Sequence, residues 1–200
     1  MTSSPRRQPG RKLDRSRDGV ILDAALAVMA EVGYEAATVD AVAARAGAAR
    51  ATVYRRWPTK TALAAAAVAH LTAADAGSTD LPDLGSLRDD LLATTVTMSE
   101  AEQQLRIDVM STLADAGRTD PALASLTASA SADPWVEVSR SLLRRAIDRG
   151  EFPPGDIDTL AMVIPTMCVH RTAVQRTPVT REFVADLIDH VVVPALRGRR

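Results

Sequence analysis

Apolar residues recur along most of the chain at the three- and four-residue spacing of an α-helix. The first stripe predicts a buried helix over about residues 18–32 and consists of Leu22, Ala25, Leu26 and Met29. Gly33 is placed to end that helix. Similar stripes continue to the end of the chain, and no segment has a convincing strand pattern. The pattern therefore predicts an all-α fold.

Two short helices joined by a tight turn are predicted between residues 38 and 60. Thr38 is a good N-cap for the first helix, and Gly47 permits the sharp turn after it. The second helix covers about residues 50–57, and a helical wheel places Val53 and Trp57 about 40° apart, as core anchors. The far side of the wheel carries the polar residues Thr52, Arg55 and Arg56, with Tyr54 on the flank.

Six further helices follow. An Ala-rich helix, capped by Thr59, is expected to about residue 75. Apolar stripes then span residues 84–98 and 105–113, and a third helical pattern covers residues 121–149. Pro134 either kinks or splits that pattern. The last two helices are expected over about 157–175 and 180–196, which gives about nine helices if Pro134 only kinks its helix.

The composition of the breaks suggests where the chain divides. Residues 1–17 are polar and rich in Arg, which predicts a flexible basic arm. This arm either touches DNA or is an ordinary frayed terminus. Gly77 to Gly85 has the composition of a linker. The predicted domains are therefore residues 18–76 and 77–200.

Charge is distributed unevenly although the net charge is only −1. Residues 1–60 carry eleven Lys and Arg against six Asp and Glu, whereas residues 61–200 carry thirteen against nineteen. A basic front on a slightly acidic body favours nucleic-acid contact at one end of the molecule, although chance scatter of surface charge gives the same balance.

Cysteine usage and hydropathy bound the compartment. The single cysteine, Cys168, excludes an intramolecular disulfide framework and a multi-cysteine zinc site. No apolar run approaches the roughly 18 residues that suggest a membrane span. We therefore expect a cytoplasmic protein without membrane contact.

Motifs of common catalytic sites are missing from the sequence. It has no Gly-rich phosphate loop, no GxSxG and no HExxH. The three histidines, His70, His170 and His190, lie far apart with no carboxylate at metal-ligand spacing. We therefore expect no metal, no cofactor and no enzyme activity, although side chains that converge only in space are invisible at this level.

The exposed side of the helix at residues 50–57 has the chemistry of a recognition helix. Arg55 can fork onto guanine, and Thr52 can bond a base edge or touch a thymine methyl group. Tyr54 and Arg56 are placed to reach phosphate groups. Lys60 opens the next helix, where free backbone N–H groups also attract phosphate. The alternative is a plain amphipathic helix with a solvated Arg pair.

Residues 18–65 resemble the N-terminal domain of TetR-type transcriptional regulators. The match consists of Gly33-Tyr34, the run from Thr38 to Ala43, Ala46-Gly47, and the run from Thr52 to Lys60. Ala49 departs from it, since the family often has Ser or Thr there as a helix N-cap. The resemblance makes DNA-contact candidates of the residues at matching positions, which are Thr38, Arg50, Thr52, Tyr54, Arg55, Arg56 and Lys60.

The resemblance also implies how the rest of the chain works. It implies a helical, ligand-binding and dimerisation domain after the three-helix DNA-binding domain, and a homodimer through the last two helices. It further implies that a small molecule releases a palindromic double-stranded DNA operator. A regulator that binds DNA without a ligand is the alternative, and an enzyme with a vestigial helix-turn-helix is a more distant one.

Candidates for the ligand site come from the scattered methionines. Met98, Met110, Met162 and Met167 are suited to line an adaptable apolar cavity, although methionine at helical spacing is also ordinary core. Arg106 and His170 are possible polar contacts in that cavity, and Pro165 could open a bend beside it.

Overall fold

The computed structural model describes residues 16–76, 81–95 and 98–198. The predicted basic arm lies outside these residues except for its last two, which begin the first helix. Four residues of the predicted linker, 77–80, also lie outside them.

The described residues form helices and no strands, which confirms the all-α prediction. The first four helices are α1 (Ser16–Ala36), α2 (Val39–Arg45), α3 (Arg50–Arg56) and α4 (Lys60–Ala76). The body contains α5 (Leu87–Ala93), α6 (Glu100–Gly117), α7 (Pro121–Asp148) and α8 (Asp158–Ala173). The last helical run has three consecutive segments, α9 (Arg181–Leu187), a π-helical turn (Ile188–Val192) and α10 (Val193–Arg197). If this run counts as one helix, the described residues contain nine.

The first three helix junctions follow from local residue chemistry. Gly33 has φ +79°, which breaks the regular path of α1, and Gly47 has φ +58° in the turn between α2 and α3. Both angles lie in the left-handed region that favours glycine. The Thr38 hydroxyl accepts from the Ala41 N–H at 3.1 Å and caps α2, as the sequence predicts. The Thr59 hydroxyl accepts from Ala62 N–H at 3.0 Å in the first turn of α4.

The core of the N-terminal helices continues into the body. Buried residues of α1 to α4 form one apolar cluster with residues of α6, including Val109 and Leu113. A second cluster joins α5, α7, α8 and the last helical run. Residues before and after the predicted boundary at residues 76–77 therefore pack together in one apolar cluster.

One predicted helix is much shorter in the structure. The apolar stripe at residues 84–98 predicts a longer helix than α5. The observed helix is shorter because Ser86 caps its start and the chain turns at Thr94. Leu84, before that helix, is 61% exposed. Pro134 lies inside the continuous α7 and does not split it.

The last helical run widens into a π-helical turn before Pro194. The Val193 N–H bonds to the Ile188 carbonyl, which is the five-residue step of a π-helix. Pro194 has no N–H to continue the regular ladder. No helix among the described residues has the length and apolar character needed to cross a membrane.

Candidate nucleic-acid interface and ligand cavity

One side of the short helix α3 packs against the core, and its other side is exposed. Val53 is completely buried, and the half-buried Trp57 packs against the same core. Both core anchors predicted from the helical wheel are therefore confirmed. Ala49, at the N-cap position, makes no side-chain hydrogen bond to the helix. Packing of Val53 and Trp57 therefore holds this helix against the core without a side-chain cap at its start.

The open side of α3 presents an array of polar side chains. Tyr54 and Arg55 are exposed and Thr52 is half-buried. The Arg50 guanidinium lies 5.4 Å from the centre of the Tyr54 ring and pairs with Asp40 of α2 at 2.7 Å. The pKa of Arg50 is raised, first by its hydrogen bond with Tyr54 and then by the charge of Asp40. Arg50 thus links the two helices of the motif at its surface.

Arg55 stands apart from the other arginines of this region. Within residues 16–76, 81–95 and 98–198, no carboxylate forms an ion pair with it. Arg45 pairs with Glu31 at 2.5 Å, Arg50 pairs with Asp40, and Arg56 pairs with Asp18. The guanidinium of Arg55 therefore keeps its hydrogen-bond donors for a partner outside the described chain.

The structure corrects the helical-wheel placement of Arg56. Its side chain is 9% exposed and pairs with Asp18 in the first turn of α1. The α3 helix ends at Arg56, and Trp57 has an extended backbone with φ −127°. The wheel, which assumes regular helix through residue 57, therefore misplaces this last residue. Arg56 ties the end of α3 to α1 and does not belong to the exposed polar arc.

Lys60 lies at the start of α4, beside the kink of α1. Its Nζ donates to the Glu35 carbonyl at 2.9 Å and lies 4.3 Å from the centre of the Tyr34 ring. The Tyr34 hydroxyl is 3.2 Å from the Thr61 hydroxyl. An ammonium group carries three donors, so the bond to Glu35 leaves capacity for a phosphate. Thr38, exposed beside this cluster, uses its hydroxyl as the α2 cap.

A cavity of about 150 Å³ lies in the body, between α4, α5, α6, α7, α8 and α9. Its walls are mainly apolar, and Met98 and Met110 line it as predicted. Arg106 and Pro165 line it as well. The cavity also contains side chains that the sequence analysis did not select, among them Trp135, Thr95 and Gln103. The scarcity of tryptophan could have drawn attention to Trp135, but no sequence signal distinguishes the other two.

Three side chains that the sequence suggests for an apolar ligand cavity do not line the cavity in the body. Met167 is 38% exposed and His170 is exposed, and neither lines the cavity. Met162 is 52% exposed and also lies outside it. The cavity wall of α8 is instead formed by residues such as Pro165, Cys168 and Thr172. Met162, Met167 and His170 therefore lie on the side of α8 that faces away from this cavity.

Among the described residues, the cavity lining includes a positively charged side chain and no negatively charged one. Arg106 is the charged side chain in the lining, and no acidic residue of the described chain joins it there. Cys168 does not supply a negative charge, because burial raises the pKa of its thiol to about 11 despite the nearby charge of Arg171. Among the described residues, no cluster of His, Cys, Asp and Glu is arranged to hold a metal ion.

Helix α6 connects this cavity to the N-terminal helices. Its first part supplies Arg106 and Met110 to the cavity wall. Two residues later, the Thr112 hydroxyl accepts from the Tyr34 N–H at 2.7 Å. A Cβ on Gly33 would lie 3.2 Å from the same hydroxyl, so the kink of α1 sits tightly on α6. One rigid element therefore touches both the cavity and the helix-turn-helix unit.

An exposed second helix after a glycine turn, carried on a helical body with an internal cavity, defines a helix-turn-helix DNA-binding regulator. Residues 21–67 match the family model "Bacterial regulatory proteins, tetR family", and residues 81–191 match "Tetracyclin repressor-like, C-terminal domain". The chain belongs to the TetR family of transcriptional regulators and is a DNA-binding protein.

Individual relatives agree with this assignment. The chain is 34% identical over 181 residues to the HTH-type transcriptional regulator Rv1556 of Mycobacterium tuberculosis, spanning 90% of this chain and 88% of that one. It is 34% identical over 185 residues to the DNA-binding transcriptional repressor TetR of Mycobacteroides abscessus, spanning 91% and 95%. A TetR-family regulator structure from Rhodococcus shares the fold, with TM-score 0.68 and 18% identity over 92% of this chain and 100% of that one. These matches point to a transcriptional regulator rather than an enzyme.

Proposed function

We propose that this protein is a ligand-responsive repressor that binds a palindromic operator as a homodimer and releases it when a small molecule fills the body cavity. The observation that carries the proposal is the position of α6. Its residues form a wall of the cavity, and its Thr112 bonds the kinked end of α1. The printed name of the relative at 34% identity, a DNA-binding transcriptional repressor, favours repression.

In this proposal, each side chain is assigned to bases or to phosphates according to the contacts that it makes within the protein. Arg55, with no ion pair in the described chain, reads base edges together with Thr52. Arg50, Tyr54 and Lys60 contact phosphate, and each is positioned by a neighbouring side chain or carbonyl. Thr38 supports the interface by capping α2 at the surface.

Arg56 has a different role in this proposal. Its pair with Asp18 fixes the end of α3 against α1. Arg56 thereby sets the angle of the recognition helix from the side that faces the core. A small change at α1 would then reach the DNA-reading residues without a direct ligand contact.

Dimerisation through the last two helices is supported by exposed apolar side chains. On α8, Met162, His170, Val174 and Met167 fall within an arc of about 140°. The three apolar members of this set are 38% to 61% exposed, and Val191 of the last helical run is 42% exposed. Exposed apolar residues grouped in this way mark interaction surfaces. Met167 and His170, which the sequence suggests for the ligand site but which do not line the cavity, are therefore interface candidates.

The DNA assignment is tested by binding to palindromes from the region upstream of the protein's own gene. Arg55→Ala should reduce discrimination against one changed base pair by about 1–3 kcal/mol. Lys60→Ala should weaken binding to all sequences and reduce the salt dependence by about one charge. Arg118→Ala, an exposed arginine at the end of α6, is the matched control. If Arg55→Ala and Lys60→Ala both behave like this control, the assignment of the interface to α3 is wrong.

The dimer assignment is tested by sedimentation. Met167→Glu places a charge in the proposed interface and should shift the protein to a monomer, which also loses cooperative binding to the palindrome. Leu126→Glu, at a 49% exposed position on α7, should remain a dimer. A dimeric Met167→Glu protein would place the interface elsewhere.

The ligand route is tested at Thr112. Thr112→Val keeps the side-chain shape but removes the acceptor of the Tyr34 N–H. We expect it to retain ligand binding while weakening the effect of ligand on DNA affinity, since coupling energies of about 1–3 kcal/mol are typical. Thr119→Val, in the turn after α6, is the control. Unchanged coupling in Thr112→Val would show that another contact carries the signal.

A further inference from the structure

The wall of the body cavity carries a formal positive charge among mainly apolar side chains. Arg106 lines the cavity, and its Nε is shielded from solvent. Glu102 lies one turn earlier on α6. Its pKa is lowered, mainly by hydrogen bonds with Ser99 and also by the charge of Arg106. Its carboxylate is exposed, lies outside the cavity lining and accepts from the Ser99 N–H and hydroxyl at 2.8 and 2.7 Å. A guanidinium carries five N–H donors, so contacts of Arg106 within the protein leave donors for a ligand in the cavity.

The same wall contains a hydroxyl group that makes no hydrogen bond within the described residues. The Thr95 hydroxyl is buried and has no hydrogen-bond partner among the described residues. A buried hydroxyl without a partner is costly, so such groups are commonly satisfied by a ligand or a water molecule. By contrast, the Thr72 and Thr172 hydroxyls, also in the wall, donate to Val68 and Cys168 carbonyls at 3.0 Å. Thr95 therefore offers a donor for which the described residues supply no acceptor.

The size and walls of the cavity limit the rest of the ligand. Apolar cavities of about 150 Å³ hold a molecule the size of one benzene ring. Trp135 supplies a flat aromatic wall, and Ile107 and Ile164 supply aliphatic ones. An aromatic ring gains from packing against such a surface in an offset or edge-to-face arrangement. A long chain or a fused polycyclic molecule does not fit this volume without rearrangement.

We propose that the ligand of this cavity is a compact aromatic monocarboxylate, with its ring against Trp135 and its carboxylate bound by Arg106 and the Thr95 hydroxyl. This inference rests on the proposed ligand-responsive function and specifies the chemistry of that site. The guanidinium matches a carboxylate because its N–H groups form a planar fork. Acetate lacks the ring, and a cationic amine of the same size is repelled by Arg106.

Three probes of nearly equal shape test the inference: benzoate, benzamide and benzylamine. Calorimetric titration of the full chain measures binding, and fluorescence anisotropy of a labelled palindrome measures DNA release separately. We expect benzoate to bind at least about tenfold more tightly than benzamide, because charge-assisted hydrogen bonds are about twice as strong as neutral ones. Benzylamine should bind most weakly. Benzamide binding as tightly as benzoate, benzylamine binding best, or no probe binding would each overturn the inference.

Variants of Arg106 add a test of the residue. Arg106→Gln should abolish the preference for benzoate over benzamide, whereas Arg106→Lys should preserve much of it by keeping the charge. Arg118→Gln, outside the cavity, should leave the preference unchanged. Thermal unfolding establishes that each variant is folded, and the three-probe comparison on the unmodified protein stands without them. A preference that survives in folded Arg106→Gln would overturn the assignment.

The two readouts separate this inference from the proposed function. If benzamide binds best and releases DNA, the carboxylate assignment fails but the ligand-responsive function stands. If benzoate binds with the expected dependence on Arg106 but DNA affinity is unchanged, the site assignment stands and the proposed release mechanism fails.

Discussion

A buried ion pair fixes the start of α5 to the end of α7. Asp90 is fully buried, and one of its carboxylate oxygens accepts from the Leu84 N–H at 2.6 Å. The other accepts from the Arg149 guanidinium at 2.9 Å. The same guanidinium also pairs with the exposed Asp83 at 2.7 Å. The pKa of Arg149 is raised, and its hydrogen bond with Asp90 is the largest cause.

Replacing Asp90 by Asn keeps the shape of the side chain but removes its charge. The arginine then loses its buried counter-charge, and its side chain is only 24% exposed. Breaking a buried pair by changing one partner costs about 3–5 kcal/mol, and the partial exposure of Arg149 favours the lower end. At about 2–4 °C per kcal/mol for a chain of this size, the melting temperature should fall by roughly 6–12 °C.

Asp83→Asn is the matched control because it affects the same arginine through a 63% exposed carboxylate. An exposed pair contributes about 0–1 kcal/mol, so this variant should melt within a few degrees of the unmodified protein. Denaturant unfolding and calorimetry measure both free energies. Equal losses of stability in the two variants would refute the argument that burial of Asp90 sets the magnitude.

Three further predictions follow from local contacts. Ala49→Ser supplies the missing N-cap of α3 and should stabilise the DNA-free protein by about 0.5–1 kcal/mol, whereas Thr38→Ala should cost about 1 kcal/mol in the same unfolding assay. Asp18→Asn should weaken operator binding and lower stability, although Asp18 belongs to α1, because it removes the charge that pairs with Arg56. An unchanged affinity would contradict the positioning role. The Cys168 thiol, with its pKa raised from 9.0 to about 11, should react with iodoacetamide at pH 8 about 100-fold more slowly than a free cysteine. A rate near that of free cysteine would show that the thiol is accessible as thiolate.

The helix-turn-helix could be predicted in detail because its determinants are local. Thr38 caps α2 through a hydroxyl three residues from its donor, and Gly47 has the left-handed backbone that its turn requires. Val53 and Trp57 are anchors because their spacing places both on the core side. Arg56 was misplaced because its position depends on Asp18, far away in sequence, and on the end of regular helix at that residue.

The cavity is harder to predict because its lining comes from six helices and from loops. Met98 and Met110 were selected as flexible apolar residues, and they do line it. Thr95 gave no such signal, since its role depends on what fails to reach its hydroxyl in three dimensions. Partners distant in sequence thus decide the function of a polar residue, whereas spacing within one helix decides the placement of an apolar one.

Helix α8 shows why helical periodicity alone cannot distinguish a ligand site from an interface. Pro165 and Cys168 line the cavity on one side of the helix, while Met167 and Val174 are exposed on the other. The exposed side also carries the polar residues Thr166 and His170, but both methionines of the helix lie there, so methionine spacing alone does not identify the cavity side. Under the proposed function this arrangement has a physical basis, because a helix with a ligand on one side and the partner subunit on the other can transmit a small displacement to the separation of the two recognition helices. Half-sites about 34–36 Å apart, or a multiple of that, tolerate little change in this separation, so occupancy of the cavity would act on DNA affinity through α8 as well as α6.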